Sequence, residues 1–366
     1  MRGKLFATLI ILAACNGGSA ESGGSTADAM TTSGAGGTTS AEGSSGGVMP
    51  TTTGVDPSTT TMAIDTGSAG TTAVGGSSGE ETGATTEPGI DCQDLADGPW
   101  EPVLWVEGYD GSEDLAFDGQ GGLALKKGGG VVVVGPDKSE SMLAMDVPPA
   151  YGTRYRGDGR LLVALPQDDK VIAIDDGGGI TDFVTGLQGP NGIYPDLAGN
   201  VWITEFGGSR VLRVAPDLTE TTIVMGQDAE AANGVVYDPV RGLLFYTKYQ
   251  AGQVLRVAVD ERGNAGTPEL VVEIAGTSPD GLAMDACGYL YVVNQGGDEL
   301  YRVLLDAAGE ATATPEQPMA VFPSNVANVQ FGAGPGFDPY TLYVAGNPGD
   351  VYTIAVEFPG APIVTP

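Results

Sequence analysis

At Glu113, Thr153, Asn191, Asn233, Asp280 and Asn328 a polar residue opens a short β-rich run, and the intervals between these openings are 40, 38, 42, 47 and 48 residues. The unit is plainest in its middle copies. Asn191-Gly-Ile-Tyr-Pro-Asp leads to Asn200-Val-Trp-Ile-Thr and Val211-Leu-Arg-Val. Asn233-Gly-Val-Val-Tyr-Asp leads to Leu243-Leu-Phe-Tyr-Thr and Val254-Leu-Arg-Val. Asp280-Gly-Leu-Ala-Met-Asp leads to Tyr289-Leu-Tyr-Val-Val and Leu300-Tyr-Arg-Val. Each copy is three β-rich runs with room for a fourth, and a unit of roughly 40 to 45 residues and four strands buries its faces only against its neighbours around a channel. The period therefore predicts an all-β chain, a six-bladed β-propeller over residues 90–366.

The rest of the composition narrows the chemistry. A formal net charge of -31 repels phosphate backbones and anionic lipid surfaces, which argues against nucleic-acid binding. The sequence has no histidine, so Ser-His triads, imidazole bases and imidazole metal sites are all excluded. Any metal must be held mainly by oxygen.

The N-terminus reads as an address. Arg2 and Lys4 precede an apolar stretch from Leu5 to Ala14 that is too short to span a bilayer, and Leu12-Ala13-Ala14-Cys15 ends it with small residues before a cysteine. This pattern resembles a bacterial lipoprotein signal, which implies removal of residues 1–14, lipidation of Cys15 and a lipid-anchored place in the cell envelope. Asn16 rather than Asp follows the cysteine, so an outer-membrane or cell-surface location is expected. From residue 15 to 89 the chain is mostly Gly, Ser, Thr and Ala; no Lys, Arg, Phe, Trp or Tyr occurs, so it lacks the means to bury a core. It is expected to act as a disordered tether with a reach of about 50 Å. The domain itself is expected to be a monomer that touches the membrane only through the lipid.

Cys92 and Cys287 remain once Cys15 is lipidated, and in an oxidising compartment two leftover cysteines suggest one disulfide.

In a propeller, residues at one fixed position of the innermost strands form a ring at the channel mouth. Here the ring would carry two carboxylates, three amides and a hydroxyl, an oxygen set that suits a hard cation such as Ca²⁺. Asn-Gly and Asp-Gly equally fit tight turns at the start of a blade. Glu113, followed by Asp114, has no such turn preference. A second column, Asp118, Asp158, Asp196, Asp238 and Asp285, precedes Gly-containing turns and reads as turn-shaping.

At these residues the chain resembles the gluconolactonase and regucalcin family of six-bladed propellers. That family carries a Glu opening its first blade, an Asn opening the third, Asn-Gly the fourth and Pro-Asp-Gly the fifth. This sequence has Glu113, Asn191, Asn233-Gly234 and Pro279-Asp280-Gly281 in the same order, and Phe331-Gly332 with Thr341-Leu342-Tyr343-Val344 is similar to the last blade. The resemblance covers roughly residues 100–356. It implies that Glu113, Asn233 and Asp280 hold a divalent metal, that Asn191 lies near metal and substrate, and that a lactone or related ester is hydrolysed with Asp280 as the base. Asn328 and Thr153 complete the ring as substrate-facing positions. Two departures are visible: Glu113-Asp114-Leu115 replaces Glu-Gly-Pro, and Gly189-Pro190 stands where an Arg commonly precedes the third-blade Asn. The blade pattern also resembles that of NHL-repeat propellers, which serve as ligand- or protein-binding platforms without catalysis, and a purely structural surface lipoprotein is a further alternative.

Overall fold

A computed structural model describes residues 90–366 apart from 97, 110–112, 275–277 and 348. The signal, Cys15 and the tether lie outside the described residues.

Six four-stranded antiparallel sheets follow one another, as the repeat predicts. In five of them the strands lie in sequence order. Their inner strands are Leu115–Phe117, Thr153–Tyr155, Pro190–Pro195, Ala232–Asp238 and Pro279–Met284; the inner strand of the sixth blade is Asn328–Phe331. The sixth blade takes its outer strand from the start of the domain, where Val103–Val106 pairs with Val351–Ala355 in the register Val103 to Thr353 and Leu104 to Tyr352. Only two short 3-10 turns, Gly226–Ala229 and Gln295–Gly297, interrupt the β structure among the described residues.

Burial follows the logic of the repeat. The core divides into six apolar clusters, and each joins two adjacent blades: Leu162, Ala164, Ile193 and Ile203 join the second to the third, and Tyr291, Phe331, Leu342 and Tyr352 join the fifth to the sixth. A blade on its own would expose both of its faces, so closure of the ring is what buries them.

The segment ahead of the first blade is fastened to the fifth. Cys92 is disulfide-bonded to Cys287 with a Cα separation of 5.6 Å, and the Tyr289 hydroxyl donates to the Cys92 carbonyl at 3.0 Å. Trp100 stacks on Tyr291 with centroids 6.1 Å apart. At the other terminus, Ala361, Ile363 and Val364 line an apolar cavity together with Phe117, Tyr155 and Met284, at the ends of the inner strands far from their polar openings. The two ends of the channel thus differ sharply: polar where the inner strands begin, apolar and covered by the C-terminal segment where they finish.

Candidate active site

The polar openings lie at the start of their inner strands, but not in turns. Asn191, Asn233 and Asp280 are each the second residue of a strand, and in each case the pairing register slips just there, between Pro190 and Ile193, Ala232 and Val235, and Pro279 and Leu282. These are β-bulges, devices that re-aim a side chain and are common beside active sites. The glycine that follows serves close approach, not a positive φ. A Cβ at Gly192 would lie 2.3 Å from the Asn233 carbonyl oxygen, and one at Gly234 would lie 2.4 Å from that of Asp280. At Gly281 it would fall 2.0 Å from Oδ1 of Asn328. Asn-Gly and Asp-Gly at these positions therefore encode blade-to-blade packing.

Two threonines stitch the bulges together. The Gly192 amide donates to Oγ1 of Thr204 at 2.8 Å, and that hydroxyl donates onward to the Asn233 carbonyl. The Gly234 amide donates to Thr247 at 2.8 Å, and Thr247 donates to the Asp280 carbonyl at 2.7 Å. Ladder bonds lost at each bulge are replaced, and the backbone of each site residue is tied to the blade before it.

Within this frame Asp280 is buried, and burial pushes its carboxyl well above the usual range, with the Glu113 and Asp114 charges adding to the rise and a hydrogen bond from Asn233 opposing it. Burial likewise raises Glu113 to about 7; a hydrogen bond from Asn347 opposes that rise and the charge of Asp114 adds to it. Asp114 itself pairs with Arg154 just inside the channel and accepts the Thr153 amide at 2.7 Å. Among the described residues no salt bridge reaches Glu113 or Asp280. A carboxylate pair of which one member is buried and the other half-buried, without a counter-ion and with an amide beside it, is costly unless protonated or bridged by a cation. The donors are all oxygen, so the set fits a hard divalent ion better than a transition metal. Among the described residues no group of three or more His, Cys, Asp or Glu side chains gathers at metal-binding range, so amide oxygens would have to complete the shell.

The other ring members are engaged differently. Asn191 is half-buried and its carbonyl accepts the Gly152 amide at 2.9 Å. Asn328 is buried and turns Oδ1 onto the Val329 amide at 2.8 Å. Thr153 is buried beside Asp114. The second column shapes turns: Asp118 accepts the Gln120 amide, Asp158 that of Arg160, Asp196 that of Ala198, Asp238 that of Val240, and Asp285 that of Cys287.

A second ring, not evident from the opening residues, surrounds the first. It comes from residues that follow the second strand of a blade: Phe206, Tyr249, Gln295 and Asn347, joined by Tyr151 from just ahead of an inner strand. Asn347 donates from Nδ2 to Oε1 of Glu113 at 3.1 Å. Phe206 and Tyr249 meet edge to face with centroids 5.7 Å apart, and the Tyr249 hydroxyl donates to Oε1 of Gln295 at 2.6 Å. Burial raises the phenols of Tyr151 and Tyr249, and the charges of Glu113 and Asp280 raise both further, so both rings lie in the field of that pair. The signal was present in the repeat: Thr204-Glu-Phe, Thr247-Lys-Tyr and Val293-Asn-Gln are aligned copies.

Known proteins resemble the chain in sequence and in fold. Residues 217–346 match the family model described as SMP-30/Gluconolactonase/LRE-like region. The chain is 28% identical over 206 residues to pentonolactonase XacC of Haloferax volcanii, covering 51% of this chain and 68% of that protein. It is 30% identical over 154 residues to a 6-deoxy-6-sulfogluconolactonase of Pseudomonas putida, covering 41% of this chain and about half, 49%, of that one. Among solved structures, a calcium-binding protein, regucalcin, from Agrobacterium tumefaciens strain C58 superposes with a TM-score of 0.58 at 18% identity, over 74% of this chain and 99% of its own. By sequence over residues 217–346, and by fold over the propeller, the chain is akin to the SMP-30/gluconolactonase/LRE-like proteins.

Proposed function

We propose that the protein is a lactone hydrolase that uses a divalent cation, Ca²⁺, held by Glu113, Asn233 and Asp280, with Asn191 beside the substrate. The observation that carries this reading is the pairing of a half-buried carboxylate, Glu113, with a buried one, Asp280, at the polar mouth with Asn233 hydrogen-bonded between the blades. The relatives named for lactone hydrolysis support the reaction class. The sequence around Cys15 supports a lipid anchor at the cell envelope.

The chain's own residues would act as follows. A bound cation supplies a Lewis acid at the lactone carbonyl oxygen. Asp280, whose carboxylate is made more basic by burial, accepts a proton from water as the water oxygen bonds to the carbonyl carbon. The ring C–O bond then breaks and the departing ring oxygen takes that proton, so that lactone and water become one hydroxy acid. Glu113 is held in place through Asn347, whose hydrogen bond favours its ionised form.

The test combines metal analysis, chelation and a lactone panel on the purified protein. Asp280→Asn should lower hydrolysis by roughly 10² to 10⁴, the usual cost of a lost general base. Glu113→Gln should weaken the metal with less effect at saturating metal, and Asp260→Asn, in an exposed turn on the opposite face, should change neither. Chelation should lower the melting temperature of wild type and spare the Glu113→Gln, Asp280→Asn double variant. A protein that binds no divalent ion, is indifferent to chelator and hydrolyses no lactone is instead a binding platform.

A further inference from the structure

The rim around the carboxylate pair has a composition that selects among lactones. Among the described residues, strand topology puts Lys126, Lys127, Arg154, Lys170, Arg210 and Lys248 at this end; Lys127, Arg154, Lys170 and Arg210 are ion-paired with Glu140, Asp114, Asp182 and Glu205, and Lys126 and Lys248 are turned onto the Gly128 and Gln227 carbonyls. Arg210 is held by Glu205 through two bonds of 2.7 Å. A substrate bearing a carboxylate, phosphate or sulfonate away from its reacting carbonyl would meet the acids of this mouth and would have to compete with the partners that already hold its cations.

Several polar side chains of the rim are matched to one another. Tyr249 donates to Gln295, Asn347 to Glu113, and Asn325 to the Gln295 carbonyl and Asp298 at 3.3 Å each. A ligand hydroxyl would have to displace these bonds or turn to the Asn191 amide and the Tyr151 hydroxyl at the edge of the rim. The larger surface here is aromatic: Tyr151, Phe206 and Tyr249 are all half-buried, and Phe206 is braced by its amide, which donates to the Gly189 carbonyl at 2.9 Å. Gly189-Pro190 brings no side chain with a hydrogen-bond donor to this place.

We propose that the site takes a neutral lactone whose alkyl or aryl portion is apolar, packed against the faces of Tyr151, Phe206 and Tyr249. This inference rests on the hydrolase reading above and specifies its substrate class. The side chain that sets the preference most directly is Phe206, since it has no polar group of its own and sits against Tyr249.

The experiment compares kcat/KM of the full chain for dihydrocoumarin and γ-decalactone with that for δ-gluconolactone and 6-phosphogluconolactone. Alongside it, calorimetry measures equilibrium binding of 3,4-dihydro-2-quinolinone, the lactam counterpart of dihydrocoumarin. The expected result is at least a tenfold preference for the apolar lactones, with Phe206→Ala raising their KM by about tenfold, the effect of roughly 50 Å² of lost apolar contact, and changing kcat less. Phe206→Leu should restore part of the loss, and it replaces the alanine variant if that variant melts several degrees lower. Lactam binding should weaken in Phe206→Ala. Preference for δ-gluconolactone or the phosphorylated lactone, with Phe206→Ala indifferent, overturns the inference and leaves the hydrolase reading standing. Phe206-dependent lactam binding without hydrolysis of any lactone supports the apolar cradle and overturns the hydrolase reading. Absence of both hydrolysis and lactam binding overturns the two together.

Discussion

Asn347 and Glu113, 234 residues apart in the chain, are joined by a hydrogen bond of 3.1 Å that ties the last blade to the opening of the first. The bond holds one oxygen of a half-buried carboxylate and favours its ionised form. A hydrogen bond to a charged group contributes about 1.5 to 3 kcal/mol. Asn347→Ala should therefore weaken Ca²⁺ binding by about tenfold or more in calorimetric titration, with little change in melting temperature of the metal-free protein. Unaltered affinity would show that Glu113 is positioned by something else.

The raised carboxyl of Glu113 also sets a pH dependence. A cation binds only the ionised group, so protons compete with it. Affinity for Ca²⁺ should climb from pH 5 through about 7, where Glu113 loses its proton, and the raised carboxyl of Asp280 adds to the climb. In the metal-free protein the sign is opposite. The folded state holds this proton more tightly than the unfolded chain, so its contribution to stability is present at low pH and is lost as pH rises from 4.5 to about 7. Flat affinity between pH 5 and 8 would remove Glu113 from the ligand set.

The fold was legible because it is written six times. Interval and strand pattern together leave only a ring of blades to bury the apolar faces, and the inner position of each opening residue follows from that. The meaning of Asn191-Gly192 and Asn233-Gly234 was not legible, because a glycine kept for close approach and a glycine kept for a positive φ look alike in sequence. Only the position of the next blade's carbonyl separates them. Asn347 and Phe206 escaped notice for another reason. Their roles depend on which loops meet above the channel, and a reading by single opening residues does not follow the strand that returns to the same mouth.

The packing role of these glycines gives a sharp comparison. Gly234 lies between Asn233 and Asp280, and a Cβ there would meet the Asp280 carbonyl oxygen at 2.4 Å, Cδ2 of Leu282 at 2.6 Å and the Gly281 Cα at 2.9 Å, so that backbone as well as side chain would have to give. Gly234→Ala should destabilise the domain by more than the ~1 to 3 kcal/mol typical of overpacking and weaken Ca²⁺ binding with it. Gly129→Ala, where nothing lies within 4 Å, should leave both within error. Equal melting temperatures for the two variants in a thermal denaturation series would mean that the blades part at Gly234 without cost.

The bridge from Cys92 to Cys287 separates stability from function. Cys287 lies in the turn that follows the inner strand of the fifth blade, whereas Asp280 stands at the start of that strand, so the disulfide and the carboxylate pair are at opposite ends of it. The bridge spans 195 residues, and removing a native disulfide costs about 2 to 5 kcal/mol. Tyr289, Trp100 and Arg302 also hold the arriving segment, through the Cys92 carbonyl, the Tyr291 ring and the Ala96 carbonyl, so the lower figure applies. At about 2 to 4 °C per kcal/mol for a domain of this size, the Cys92→Ser, Cys287→Ser variant should melt about 4 to 8 °C lower. Its Ca²⁺ affinity and lactone hydrolysis at 25 °C should match wild type. Denatured, unreduced protein should show no labelling of either cysteine by a thiol reagent, and labelling of both would contradict the bridge.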